Sequence, residues 1–357
     1  MGHSRNSIKA YNSAFNKYRS FHNMSLTSLL AEAIREQEDH VPQNRLRLYT
    51  RLMDFRQFLI DNHTGKTISS NLSKIKTFYK YNHVKLPVIP QINTKNIRKN
   101  PCISYDDLLT KSEIKKALNV ADDNVAMWIY VMLSSGSSRS EARGLTNKTF
   151  YEGTFEYHKK DSFEDALKFL SKNDNVVCTC SLIRKKTGRP YYTFLGPEAV
   201  QFISKVKLKN KDFNLDNPLL EGSLDYVGRK FRFINDYLDL GYAGGYRRSR
   251  PHMLRKFNAT YLNQEGVKSD LLDMESVDTL HGRGKDSTRE SYFKDNPNVL
   301  KLSYIRCMSN VSLYHKYTWE IVDGEVIVYS QKLYSKWGDW CKLSILFKSF
   351  FIIDNHD

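Results

Sequence analysis

The sequence predicts a mainly α-helical protein of two domains, the second carrying a small β-sheet. Three observations lead there. Apolar residues recur at helical spacing through most of the chain. A stretch with three prolines and no periodicity, 86–104 (LPVIPQINTKNIRKNPCIS), separates a short N-terminal part from the rest. Strand-like alternation is confined to short segments, chiefly 176–195.

Taken in order, the first hundred residues predict three basic helices. Residues 7–21 set Ile8, Tyr11, Phe15, Tyr18 and Phe21 at helical spacing, with Lys9, Lys17 and Arg19 between them. Residues 45–60 repeat the pattern with Leu48, Leu52, Phe55 and Leu59, and 68–82 predicts a third helix. Aromatic residues so spaced belong to a core, and the interleaved cations to an outer face. The expected boundaries are a helical domain over 1–85, a linker over 86–104, a second domain over 105–300 and a tail over 301–357. The second domain opens on a capping box, Thr110 with Glu113. An apolar helix over 124–134 follows and runs into Ser134–Glu141 (SSGSSRSE) and Leu145-Thr146. Residues 176–195 read as a hairpin turning at Thr187–Pro190, and Pro197 as the first residue of a helix. Gly241–Arg250 is a flexible cationic loop. In the tail, Trp319–Tyr329 predicts a hairpin around Asp323-Gly324, and 337–353 a strongly apolar helix.

The charge narrows the function. The 357 residues carry a formal charge of +16, and residues 1–100 hold 17 Lys and Arg against 6 Asp and Glu, so +11 of it sits there. A surface this basic favours a polyanion. The five cysteines form no framework, and Cys178-Thr-Cys180 reads as two residues on one side of a strand rather than half a zinc site. The start of the chain has no apolar signal segment, and no run approaches the ~20 apolar residues a bilayer span needs. No P-loop, internal repeat or low-complexity segment is present.

The chemistry concentrates between Arg250 and Phe293. His252 and Arg255 lie one helical turn apart inside an apolar pattern of Met253, Leu254, Phe257 and Leu262. Downstream stand the turn Gly282-Arg283-Gly284 and then Tyr292. A guanidinium grips two phosphate oxygens at once. A phenol can become a covalent nucleophile where its neighbours take its proton. Together with an imidazole they suit a phosphodiester.

These residues resemble the tyrosine recombinases, the phage-integrase family, of the archaeal or viral integrase type. The likeness rests on SSGSSRSE with Leu145-Thr146, the Lys-Thr-Gly hairpin, HMLRKFNATYL, HGRG…STRESYF, and an early SKIKTFYKYNHVKLP similar to the end of the family's core-binding domain. The resemblance implies a two-domain clamp around double-stranded DNA. It makes Arg139 the first arginine, with Glu141 beside it and Arg143 as its rival. Lys186, or its neighbour Lys185, becomes the lysine that protonates the leaving 5′ oxygen. His252 and Arg255 form the H-x-x-R box, and Tyr292 is the nucleophile. The chain departs from the family once: Arg283 stands where a histidine or tryptophan is usual, with His281 two residues earlier. The implied activity is site-specific recombination through a 3′-phosphotyrosyl intermediate, without metal, cofactor or ATP. The implied assembly is a tetramer on DNA, with tails docked on neighbouring protomers, in the cytoplasm of a prokaryotic or virus-bearing cell. Strand cleavage and resealing of the type IB topoisomerase kind, or DNA binding by a decayed site, are the competing readings.

Overall fold

The computed structural model describes residues 5–42, 45–91, 102–284, 296–322 and 325–333. It is mainly helical with small antiparallel sheets, and it divides into two compact units, 1–102 and 103–357. The division falls inside the proline-broken segment.

The first unit contains α1 (Arg5–His22), α2 (Leu26–Glu38), α3 (Arg47–Asn62) and α4 (Gly65–Tyr81). The expected apolar positions make its core: Leu48, Leu52, Phe55 and Leu59 from α3 meet Ile68, Leu72, Ile75 and Tyr79 from α4, around Tyr18. Burying each such side chain contributes about 1.5–3 kcal/mol. The tyrosine hydroxyls in this apolar core satisfy each other, Tyr18 to Tyr79 at 3.2 Å. Helix α2 is not among the expected helices. Ser25 caps it, and Glu32 ties it to α3 by accepting from Arg51 Nη2 at 3.0 Å. Lys9, Arg19, Arg35, Lys66 and Lys80 remain exposed.

The second unit is built on α6 (Asp123–Ser135), buried almost all round. Before it comes α5 (Lys111–Val120), with the expected Thr110–Glu113 capping box. Gly136 ends α6 in the left-handed region, at φ +60°. After the one-turn helix α7 (Arg139–Ala142) come α8 (Asn147–His158) and α9 (Phe163–Leu170). Strands β1 (Cys178–Ile183) and β2 (Pro190–Leu195) then pair antiparallel, Cys178 opposite Leu195 and Ile183 opposite Pro190. Cys178 and Cys180 both point into the core from β1. Helices α10 (Pro197–Asn210) and α11 (Leu224–Tyr237) lead to a two-residue pair, β3 (Tyr242–Ala243) with β4 (Tyr246–Arg247). Next are α12 (Pro251–Asn263), α13 (Met274–Leu280) and α14 (Pro297–Cys307). Strands β5 (His315–Val322) and β6 (Glu325–Lys332) flank Asp323-Gly324, where the hairpin is expected. The described residues thus hold three separate two-stranded sheets rather than one.

The structure also redraws the tail. Buried residues between Tyr304 and Tyr317, with Val326 and Val328, belong to the core of the second unit. Tyr304 is buried with its hydroxyl 2.8 Å from Ser134 Oγ, and buried Lys301 pairs with Glu156 and lies over the Tyr157 ring. The Glu198 carboxylate on α10 accepts the backbone N–H groups of Leu313, Tyr314 and His315 at 2.6–2.8 Å. Sequence reading placed a boundary at 300 because periodicity marks elements, not the partners they pack on. The apolar helix expected over 337–353 lies outside the described residues.

Candidate active site

Helix α12 starts where the backbone chemistry allows. Pro251, fixed near helical φ and lacking an N–H, occupies its first turn. Met253, Leu254, Phe257 and Leu262 then face the core. His252 and Arg255 lie one turn apart, His252 exposed and Arg255 buried. Asn258, one turn on, donates to the carbonyls of Leu133 (2.8 Å) and Ser134 (2.9 Å), which are free of partners within α6 because the helix is ending. That contact fixes the register of α12 against α6.

Arg255 is held rigidly, at 9% exposure. Its Nη1 donates to Gly136 O at 2.8 Å and its Nη2 to His281 O at 2.9 Å. Glu141 approaches it to 3.6 Å. That carboxylate is itself engaged: Oε2 accepts from Ser138 N at 2.9 Å and from the Tyr191 hydroxyl at 3.4 Å. Burial lowers the Arg255 pKa, Glu141 opposes the shift, and the side chain stays a cation at any working pH.

His252, Arg255 and Arg283 line one open cavity of about 380 Å³, joined there by Lys256, Tyr105 and Gln264. Among the described residues no carboxylate lines it. Partial burial, then Lys256, Arg250, Arg255 and Arg283, lower the pKa of His252. The ring is therefore neutral near pH 7 and able to take a proton.

The turn after α13 delivers Arg283. Gly282 has φ +63°, and a Cβ there would come within 2.6 Å of the Tyr191 ring, so no other residue fits. Arg283 Nη1 donates to Asp278 Oδ1 at 2.6 Å, in a half-exposed pair. His281 turns the other way. Its ring is fully buried, with Nε2 2.8 Å from Asn258 Oδ1. Since Asn258 spends its amide on the α6 carbonyls, Nε2 carries the proton. Burial, followed by Arg255, Arg283 and Arg184, holds the pKa well below the ordinary histidine range. What His281 offers the site is its backbone carbonyl.

Other expected residues are not brought to this cavity. Arg139 is exposed at the start of α7, and its Nη1 donates to Leu224 O at 3.0 Å, at the start of α11. The cause is local: in one helical turn capped by Ser138, the inward positions are Glu141 and Ala142, both buried, which leaves 139 facing out. Arg143 is also exposed. Lys185 and Lys186 sit exposed on the hairpin turn, without a hydrogen bond or ion pair among the described residues. The turn closes through Arg184, whose carbonyl accepts from Gly188 N at 2.8 Å, a few residues earlier than expected. Tyr292 lies outside the described residues. Sequence reading passed over Arg184: its Nη1 donates to His281 O at 2.7 Å, the same oxygen that receives Arg255. Only the alternation of β1 hinted that residue 184 faces inward.

With this geometry in place, the chain can be set beside solved structures. It is 17% identical to XerA recombinase over 85% of its length and 91% of that chain, with a TM-score of 0.34. Against a lambda integrase (75–356) dimer bound to a COC′ core site it is 13% identical over 80% of its length and 98% of that chain, at 0.47. Against the integrase from mycobacterium phage Brujita it is 10% identical over 87% and 93%, at 0.37. The likeness is to recombinases and integrases. No protein-family model matches the chain, and no curated protein matches it in sequence.

Proposed function

We propose that the chain is a site-specific DNA recombinase of the tyrosine type. The observation that carries this reading is the cavity walled by Arg255, Arg283, Lys256 and neutral His252, with no carboxylate lining it among the described residues. Arg255, Arg283 and Lys256 gathered on one wall favour an anion even though Asp278 pairs with Arg283 and Glu141 lies 3.6 Å from Arg255, and a phosphodiester matches the fork geometry of arginine. In the proposed step the Tyr292 oxygen attacks the scissile phosphorus and the P–O5′ bond breaks. The phenolic proton passes to His252 or to water. Lys186, or Lys185, protonates the departing 5′ oxygen. Arg255 and Arg283 stabilise the charge on the non-bridging oxygens. The product is a 3′-phosphotyrosine and a free 5′ hydroxyl, and the 5′ hydroxyl of another strand reverses the step. The basic first unit holds the DNA backbone, and four protomers act on two duplexes. A duplex nicked just beyond the scissile phosphate, so that the cut fragment diffuses away, tests the reading. The chain should accumulate a covalent adduct stable to denaturant, and its absence on cognate DNA contradicts the proposal.

A further inference from the structure

We infer that Arg184 is the second guanidinium that grips the scissile phosphate, in the role that the sequence motif gives to Arg139. The inference rests on the recombinase reading and concerns which residue completes that site.

Two guanidinium groups meet at one carbonyl oxygen. Arg184 Nη1 and Arg255 Nη2 both donate to His281 O, at 2.7 and 2.9 Å. The two guanidinium groups are therefore no farther apart at those nitrogens than the two bonds laid end to end. Like charges held this close in a half-buried place repel unless an anion joins them. The acid at hand does not suffice. Glu141 is 3.6 Å from Arg255 and already serves Ser138 N and Tyr191, while Arg184 makes no ion pair among the described residues. A guanidinium has five N–H donors. Arg255 directs its donors to two carbonyls, and Arg184 directs one to the carbonyl they share, so donors remain for two non-bridging oxygens.

The sequence explains why residue 184 is the one in place. Along β1, Cys178, Cys180 and Leu182 are buried, while Ser181 and Ile183 are exposed. Period 2 carries the inward side to 184 just as the strand ends. His281 then fixes the guanidinium from the turn after α13. The same hairpin presents Lys185 and Lys186 immediately afterwards, so one element supplies both a phosphate grip and a proton donor for the leaving oxygen. Arg139 is exposed and donates instead to Leu224 O.

The test compares single-turnover cleavage by the full-length chain on two nicked duplexes. One has an ordinary scissile phosphate; the other has a methylphosphonate, in which a methyl replaces one non-bridging oxygen and its charge. Arg184→Ala should cut the phosphodiester about 10²-fold more slowly than the unaltered chain. On the methylphosphonate it should match the unaltered chain, because the charge it would offset is gone. Arg139→Ala should match the unaltered chain on both. Normal phosphodiester cleavage by Arg184→Ala overturns the inference. So does equal slowing on both substrates, which marks a guanidinium that only ties the hairpin to His281, and so does rescue seen with Arg139→Ala instead. If the unaltered chain forms no adduct on the phosphodiester, the recombinase reading itself fails, and the two failures are told apart.

Discussion

His252 faces the positive charges of Lys256, Arg250, Arg255 and Arg283. In the DNA-free protein its titration, followed by imidazole nitrogen shifts, should have a midpoint below the ordinary value of about 6.5. Added duplex DNA should raise the midpoint, because phosphate oxygens neutralise those cations. An ordinary midpoint unmoved by DNA contradicts the cavity as a phosphate site. Arg283 and His281 divide the work differently. Arg283→Ala removes a half-exposed pair with Asp278, worth little to folding, yet should slow cleavage about 10²–10³-fold with an unchanged melting temperature. His281→Ala empties a buried site under Arg255 and should lower the melting temperature. If the melting loss falls on Arg283→Ala instead, the assignment is wrong. At this scale the sequence was legible where spacing is local. His252 and Arg255 share a face because i and i+3 always do on a helix. Arg184 was not, since its place depends on a hairpin docking on the end of α13, 97 residues away.

Among the elements, the end of α6 holds the site together. Gly136 turns the chain at φ +60°, and a Cβ there would lie 2.2 Å from His281 Nε2 and 2.5 Å from Asn258 Oδ1. Gly136→Ala therefore combines left-handed strain with overpacking and should destabilise the fold by about 2–4 kcal/mol in urea unfolding. A cost below about 1 kcal/mol would mean that His281 is not wedged where it is described. Helix α6, α12 and both hairpins were readable from periodicity, caps and turn residues. Helix α2 lies outside the expected helices although Ser25 and the run Leu26, Leu29, Leu30, Ala33 announce it; its acidic residues set it apart from the basic helices on either side. Tyr304 and Lys301, just past the expected boundary at 300, are recognisable as core only beside Ser134, Glu156 and Tyr157.

For the whole molecule the uneven charge is the property that matters. A first unit with +11 over its first hundred residues should bind duplex DNA through phosphates, so fragment 1–102 should lose affinity steeply as salt rises, with log K linear in log salt. Binding indifferent to salt, by a fragment whose circular dichroism shows it folded, contradicts a backbone grip. Resealing of the same strand would appear as relaxation of a supercoiled plasmid bearing a single site, and strand exchange as joining of two sites. Both chemistries pass through the same covalent bond, so the identity of the nucleophile is the deciding fact. Tyr304, the next tyrosine after Tyr292, is buried with its hydroxyl bonded to Ser134, and burial raises its pKa further. It is in no position to attack. The direct measurement is to trap the adduct on a nicked duplex, digest it and map the nucleotide-bearing peptide by mass spectrometry, with Tyr292→Phe run in parallel. One modified peptide, carrying Tyr292, is expected, and no adduct from Tyr292→Phe while DNA binding is retained. A normal adduct yield from Tyr292→Phe, or a nucleotide on Tyr105 or Tyr304, would contradict it.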